Sequence, residues 1–187
     1  MTNVDFKARP EWCRKVLQAC SATVETLEVH NVVLMRDLAQ LQNMPRLRRL
    51  EVHQGGKCRD FQLPRLEHGG GLEWLKADLP LNALKSILLT HRHSLRVLWL
   101  AVGTAGKGPF PYACDVEKLR SVLYGGLPVA ECLVLWREHN HSVANCPGQK
   151  TVARSILGRG SALSVFCSNC DNVALRTYCH RGQNESA

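Results

Sequence analysis

One arrangement of apolar positions, apolar-x-x-Leu-x-apolar, keeps returning along the chain. It stands at Val24, Leu27 and Val29; at Leu47, Leu50 and Val52; at Leu72, Leu75 and Ala77; and at Leu95, Leu98 and Leu100. A looser copy holds Ala130, Leu133 and Leu135, and a last one surrounds Leu163 and Val165. The central leucines at 27, 50, 75 and 98 are separated by 23, 25 and 23 residues, and the later steps lengthen to 35 and 30. Within each copy apolar and polar residues alternate, the period of a strand with one buried face. Between copies the apolar spacing becomes three and four, which predicts helices. Trp12, Val16, Leu17 and Cys20 mark one over 10–20, and Leu38, Leu41 and Met44 mark one over 35–44, stopped by Pro45. Leu84, Ile87 and Leu88 mark a third over 82–92. Leu119, Val122 and Leu123 follow a capping Asp115 and end at Gly125 and Gly126, and Val152, Ile156 and Leu157 mark a last helix over 149–157. Strand, turn, helix and turn thus cycle five or six times. Three stretches interrupt the cycle: 53–71, with a weak strand at 63–66; 103–114, rich in Gly and Pro; and the polar 137–148.

A strand and a helix cannot bury both their apolar sides alone, so stacked copies form a parallel sheet backed by helices. The expected class is α/β, a leucine-rich-repeat solenoid with its sheet on the concave side. Residues 1–179 form one domain on this reading, and the polar 180–187 a frayed tail. The phrases Met-Pro-Arg-Leu-Arg-Arg-Leu-Glu-Val at 44–52 and His-Ser-Leu-Arg-Val-Leu-Trp-Leu at 93–100 resemble strand entries of F-box-type leucine-rich-repeat proteins. Residues 163–176 are similar to the cysteine-containing subtype, with Cys170 in its Asn/Cys position. Most other repeats depart from that pattern, with Gly55, Pro80, Gly103 and Glu138 where Asn or Cys closes the strand. The resemblance implies a protein that captures substrates for ubiquitin transfer. With the first helix starting almost at once, only the capture half is expected, without an F-box.

Alternation sends the residues between the inward leucines to the open face. Glu28, Arg49, Glu51 and Lys76 place charge on its N-terminal half, and Trp74, Trp99, Trp136 and Phe166 make its C-terminal half aromatic. Tryptophan is enriched among the energetic anchors of interfaces, so these eight residues are the expected partner-binding set, the charges setting orientation. The competing reading covers the aromatics with the chain's own loops or tail. His30 and His53 are expected as rung neighbours on this face.

Composition narrows the partners. Lys and Arg number 24 against 16 Asp and Glu, a net charge of +8. The positive charges are scattered without a run of five or six, which argues against nucleic acid. No window of 18 apolar residues suits a membrane span, and no leader is recognisable, so cytosol or nucleus is the expected compartment, with the nine cysteines reduced. Phosphate-loop and nucleophile-elbow patterns are absent, and no catalytic residue, enzyme activity or cofactor is expected. The alternative to a protein-interaction module is a basic metal- or nucleic-acid-binding protein. Its candidate zinc ligands are Cys167, Cys170, Cys179 and His180, since a Cys-x-x-Cys turn commonly supplies two ligands. His139, His141 and Cys146 form a second, separate set. Against zinc, Cys170 is already explained by the repeat, and Cys167 alternates inward with Val165. No metal is therefore the expectation.

Overall fold

The leucine ladder forms. The structure is a computed structural model and describes residues 4–32, 38, 44–54, 62, 71–104, 110–137, 141–157 and 163–171. These fall into two compact units, Met1–Leu95 and Arg96–Ala187, described in turn. The predicted strand 63–66 and the tail 180–187 lie outside the described residues, as does most of the predicted helix 35–44, where Leu38 is helical and fully buried.

The first unit holds β1 (Val4–Asp5), α1 (Pro10–Cys20), β2 (Thr26–Val32), β3 (Arg49–Gln54), β4 (Trp74–Asp78) and α2 (Leu81–His91). Its strands pair in chain order and all run parallel. Leu27 stands opposite Leu50 and Leu50 opposite Leu75, while Val29, Val52 and Ala77 form the next rung. All six side chains are at most 1 % exposed, so the period-2 pattern builds the core it predicts. Pro10 opens α1, where a missing N–H costs nothing. β1 carries no repeat pattern and is an addition to the expected ladder. Beside it β2 bulges at Asn31, whose left-handed φ of 57° lets its amide donate to Asp5 Oδ1 at 2.7 Å.

The second unit holds β5 (Val97–Ala101), α3 (Val116–Leu123), β6 (Cys132–Trp136), α4 (Cys146–Leu157) and β7 (Ser164–Cys167). β5, β6 and β7 are again parallel, with Leu98 opposite Leu133 and Leu133 opposite Val165. Asp115 caps α3 as expected, accepting from Lys118 N–H at 2.7 Å. α4 packs against α3 and β7 and begins at Cys146, three residues earlier than its apolar spacing suggests. On the other face of β6, Cys132 and Val134 are buried, and Val97, Trp99 and Phe166 pack against them. This sheet therefore has apolar matter on both faces, which is a correction to its expected open side.

The class is α/β, with seven described strands, four described helices and all described strand pairs parallel. No helix among the described residues is long and apolar enough to cross a membrane.

Candidate metal centre

β7 ends at Cys167, and residues 168–170 turn back at once. The turn is fixed from both sides. Asp171 N–H donates to the Cys167 carbonyl at 3.0 Å, and Cys167 N–H donates to Asp171 Oδ2 at 2.7 Å. Lys150 of α4 holds the same carboxylate oxygen at 2.7 Å, and Ser168 Oγ accepts from Arg137 N–H at 2.9 Å. Beside this turn lies the segment leading into α4. Ser142 N–H is held by Thr104 Oγ1, and Cys146 N–H donates to the Ser142 carbonyl at 3.2 Å.

The parallel register of β6 and β7 brings these two segments together. His141, Cys146, Cys167 and Cys170 then converge, with all four ligand atoms within 4.8 Å of one another. His141 Nε2 lies 3.6 Å from Cys167 Sγ and 3.3 Å from Cys170 Sγ. Zinc bond lengths of about 2.3 Å to sulfur and about 2.0 Å to nitrogen give tetrahedral edges near 3.5 Å for S···N and about 3.8 Å for S···S. The two S···N spacings from His141 bracket the first of these edges, and no pair of the four atoms lies farther apart than 4.8 Å. Cys146 and Cys167 are buried, Cys170 is exposed, and none of the three is in a disulfide.

The electrostatics suit a cation. Burial alone would raise the Cys167 thiol, but N–H groups of Asn169 and Cys170, the Arg137 guanidinium and the Cys146 thiol outweigh it, so its pKa is lowered. Burial pushes Cys146 up to about 11, and its hydrogen bond and charge interaction with Cys167 add to the rise. Cys170 is raised too, by burial and then by Cys167, with Asp171 adding and Cys146 opposing. Of the three thiols Cys167 therefore gives up its proton most readily, and a divalent cation would displace the protons of the other two. Burial would likewise raise Asp171, but the Lys150 ammonium and the Cys167 N–H hold it below its ordinary value.

The ligand set differs from the expected ones. The sequence pattern joins Cys167 and Cys170 to Cys179 and His180, and His141 and Cys146 to His139. The structure takes one pair from each group, and His139, Cys179 and His180 lie outside the described residues. Sequence distance hid the match, because 21 residues separate Cys146 from Cys167.

The expected partner-binding residues occupy the predicted strands. Trp99, Trp136 and Phe166 are half-buried in the second unit. In the first, Trp74 is buried, a correction to its expected exposure, and the Arg49 guanidinium covers its ring at 3.5 Å. Glu28, Glu51 and Lys76 are half-buried and paired. Glu28 Oε1 meets His30 Nε2 at 2.6 Å, and Glu51 Oε1 meets both His53 Nε2 at 2.9 Å and Lys76 Nζ at 2.5 Å. His30 and His53 stack with ring centres 4.8 Å apart, rung neighbours as expected.

No family model, curated protein or solved structure matches the chain. The likeness to F-box-type repeats thus rests on the sequence phrases alone.

Proposed function

We propose that the protein binds one zinc ion through His141, Cys146, Cys167 and Cys170, and that this ion staples the second unit. The observation that carries the reading is the mutual approach of four ligand atoms within 4.8 Å. Three sulfurs and an imidazole are the donors that zinc prefers among abundant divalent ions. Four protein ligands fill a tetrahedron and leave no position for a reacting water, so the role is structural. The Asn169 and Cys170 N–H groups on Cys167, and Asp171 behind it, are the outer support that such sites use. Among the described residues the site draws on the approach to α4, its first residue and the end of β7, so the ion would tie one helix–strand repeat into a loop.

Metal analysis of the full chain, refolded with zinc and dialysed, tests this. One equivalent of zinc is expected, with cobalt giving the strong visible absorption of a tetrahedral thiolate complex. Cys146→Ser should abolish retention of both; a chain that holds no zinc under these conditions refutes the proposal.

A second reading concerns what the stapled fold presents. We read the ladder as leucine-rich-repeat in type, supported by chain-order parallel strands with leucine on matching rungs. Its function is then non-enzymatic protein binding, with half-exposed Trp99, Trp136 and Phe166 as anchors. Trp136→Ala should leave the circular dichroism unchanged and weaken capture of a partner at least tenfold, the scale of an interface hot spot; unchanged capture removes Trp136 from the interface.

A further inference from the structure

Next to the candidate ligands lies a charge that no carboxylate among the described residues balances. Arg137 follows β6 directly, and only 5 % of it is exposed. Its Nη1 donates to the carbonyls of Val102 at 2.8 Å and Gly103 at 3.3 Å. Nη2 donates to Cys146 Sγ at 3.7 Å, and the guanidinium lowers the Cys167 pKa as well. Nε is buried without an acceptor. Among the described residues no carboxylate forms an ion pair with this side chain. A buried cation is strongly unfavourable unless an anion compensates it.

The ligand set supplies that anion. Three thiolates and a neutral imidazole around a divalent ion leave one negative charge in excess. One guanidinium cancels it. We infer that Arg137 is the counter-charge of the zinc centre, a positioning residue that neutralises the surplus thiolate charge and anchors the centre to the Val102 and Gly103 carbonyls. The inference rests on the metal reading above. It also sets a preference for ion charge, since a monovalent soft ion would leave two negative charges against one positive. Gln149 strengthens the anchor, because its Nε2 donates to the same Gly103 carbonyl at 3.2 Å and to that of Cys114 at 2.7 Å.

The test compares full-length wild type, Arg137→Lys and Arg137→Met by competition for zinc with a chromophoric chelator. Lysine keeps the charge without the planar fork; methionine keeps the bulk without the charge. Arg137→Lys should stay within about threefold of wild type, and Arg137→Met should lose about 10- to 100-fold, the range for residues supporting metal ligands. In the cobalt-loaded Arg137→Met chain the sulfur-to-cobalt charge-transfer band should move to lower energy, because hydrogen bonds that stabilise the sulfur lone pairs are gone. Equal affinity of wild type and Arg137→Met overturns the inference, and so does an unmoved band. Arg137→Lys falling as far as Arg137→Met also overturns it, since shape rather than charge would then decide. Should Arg137→Met lose its native far-ultraviolet circular dichroism, Arg137→Lys decides alone: near-wild-type affinity supports the counter-charge, and a tenfold loss overturns it. A wild-type chain that takes up neither zinc nor cobalt refutes the metal reading itself, before any variant is compared.

Discussion

Glu51 is the hub of the polar face of the first unit, and acid should undo it. Its Oε1 accepts from Lys76 Nζ at 2.5 Å and meets His53 Nε2 at 2.9 Å, with only 20 % of the side chain exposed. The His53 hydrogen bond is the largest influence. Burial opposes it, Lys76 adds to it, and the carboxyl settles at about 2 in place of 4.5. Each pKa unit corresponds to 1.36 kcal/mol, so the ionised Glu51 contributes up to about 3 kcal/mol to folding. A lowered carboxylate pKa stabilises the fold fully above the unfolded value of 4.5 and loses that contribution as pH falls towards 2. Urea unfolding of wild type and Glu51→Gln from pH 7 to pH 2 reads this directly. The gap between them should be about 2–3 kcal/mol at pH 6 and shrink steadily below about pH 4.5. A gap that stays constant down to pH 3, or that never exceeds about 1 kcal/mol, refutes the reasoning, because exposed pairs contribute no more than that.

Two further perturbations probe the second unit. Leu133 is fully buried between Leu98 and Val165, so Leu133→Ala should cost about 2–5 kcal/mol in urea unfolding; a cost under about 1 kcal/mol would show that its rung is not a core position. At Gly103 an added Cβ would run into the Tyr112 carbonyl oxygen, which belongs to fixed backbone. Gly103→Ala should therefore destabilise by about 1–3 kcal/mol in a thermal melt. Because the Gly103 carbonyl also holds Arg137, the same variant should weaken zinc binding; unchanged melting and unchanged binding would contradict the close approach.

The strands were legible because parallel strands beneath helices need branched apolar side chains at every second position, and Leu27, Leu50, Leu75, Leu98 and Leu133 supply them. The helices were legible for the same reason at period 3.6, and the Asp115 cap from residue type alone. The burial of Trp74 was not, since alternation assigns a face but says nothing of what covers it. Arg49 lies across its ring, a neighbour chosen by register. The burial of Cys132 and Val134 was hidden for the same reason. β1 was invisible because two residues hold no period. The candidate metal ligands were legible only as two half-sets, each closed with residues nearby in sequence. Only the β6–β7 pairing shows that the proper complement of the Cys167 turn lies ahead of α4. Arg137 gave no signal, since an arginine after a strand reads as surface until its burial is seen.

The four candidate ligands come in two pairs that bracket α4 and β7, and the proposed zinc would close the bracket. Such a closure is reversible in a way that a covalent cross-link is not. A protease nick just after Leu157 would cut the polypeptide without freeing either piece, because each fragment keeps two of the four donors. The pieces would travel together through a sizing column and part only when a chelator is added.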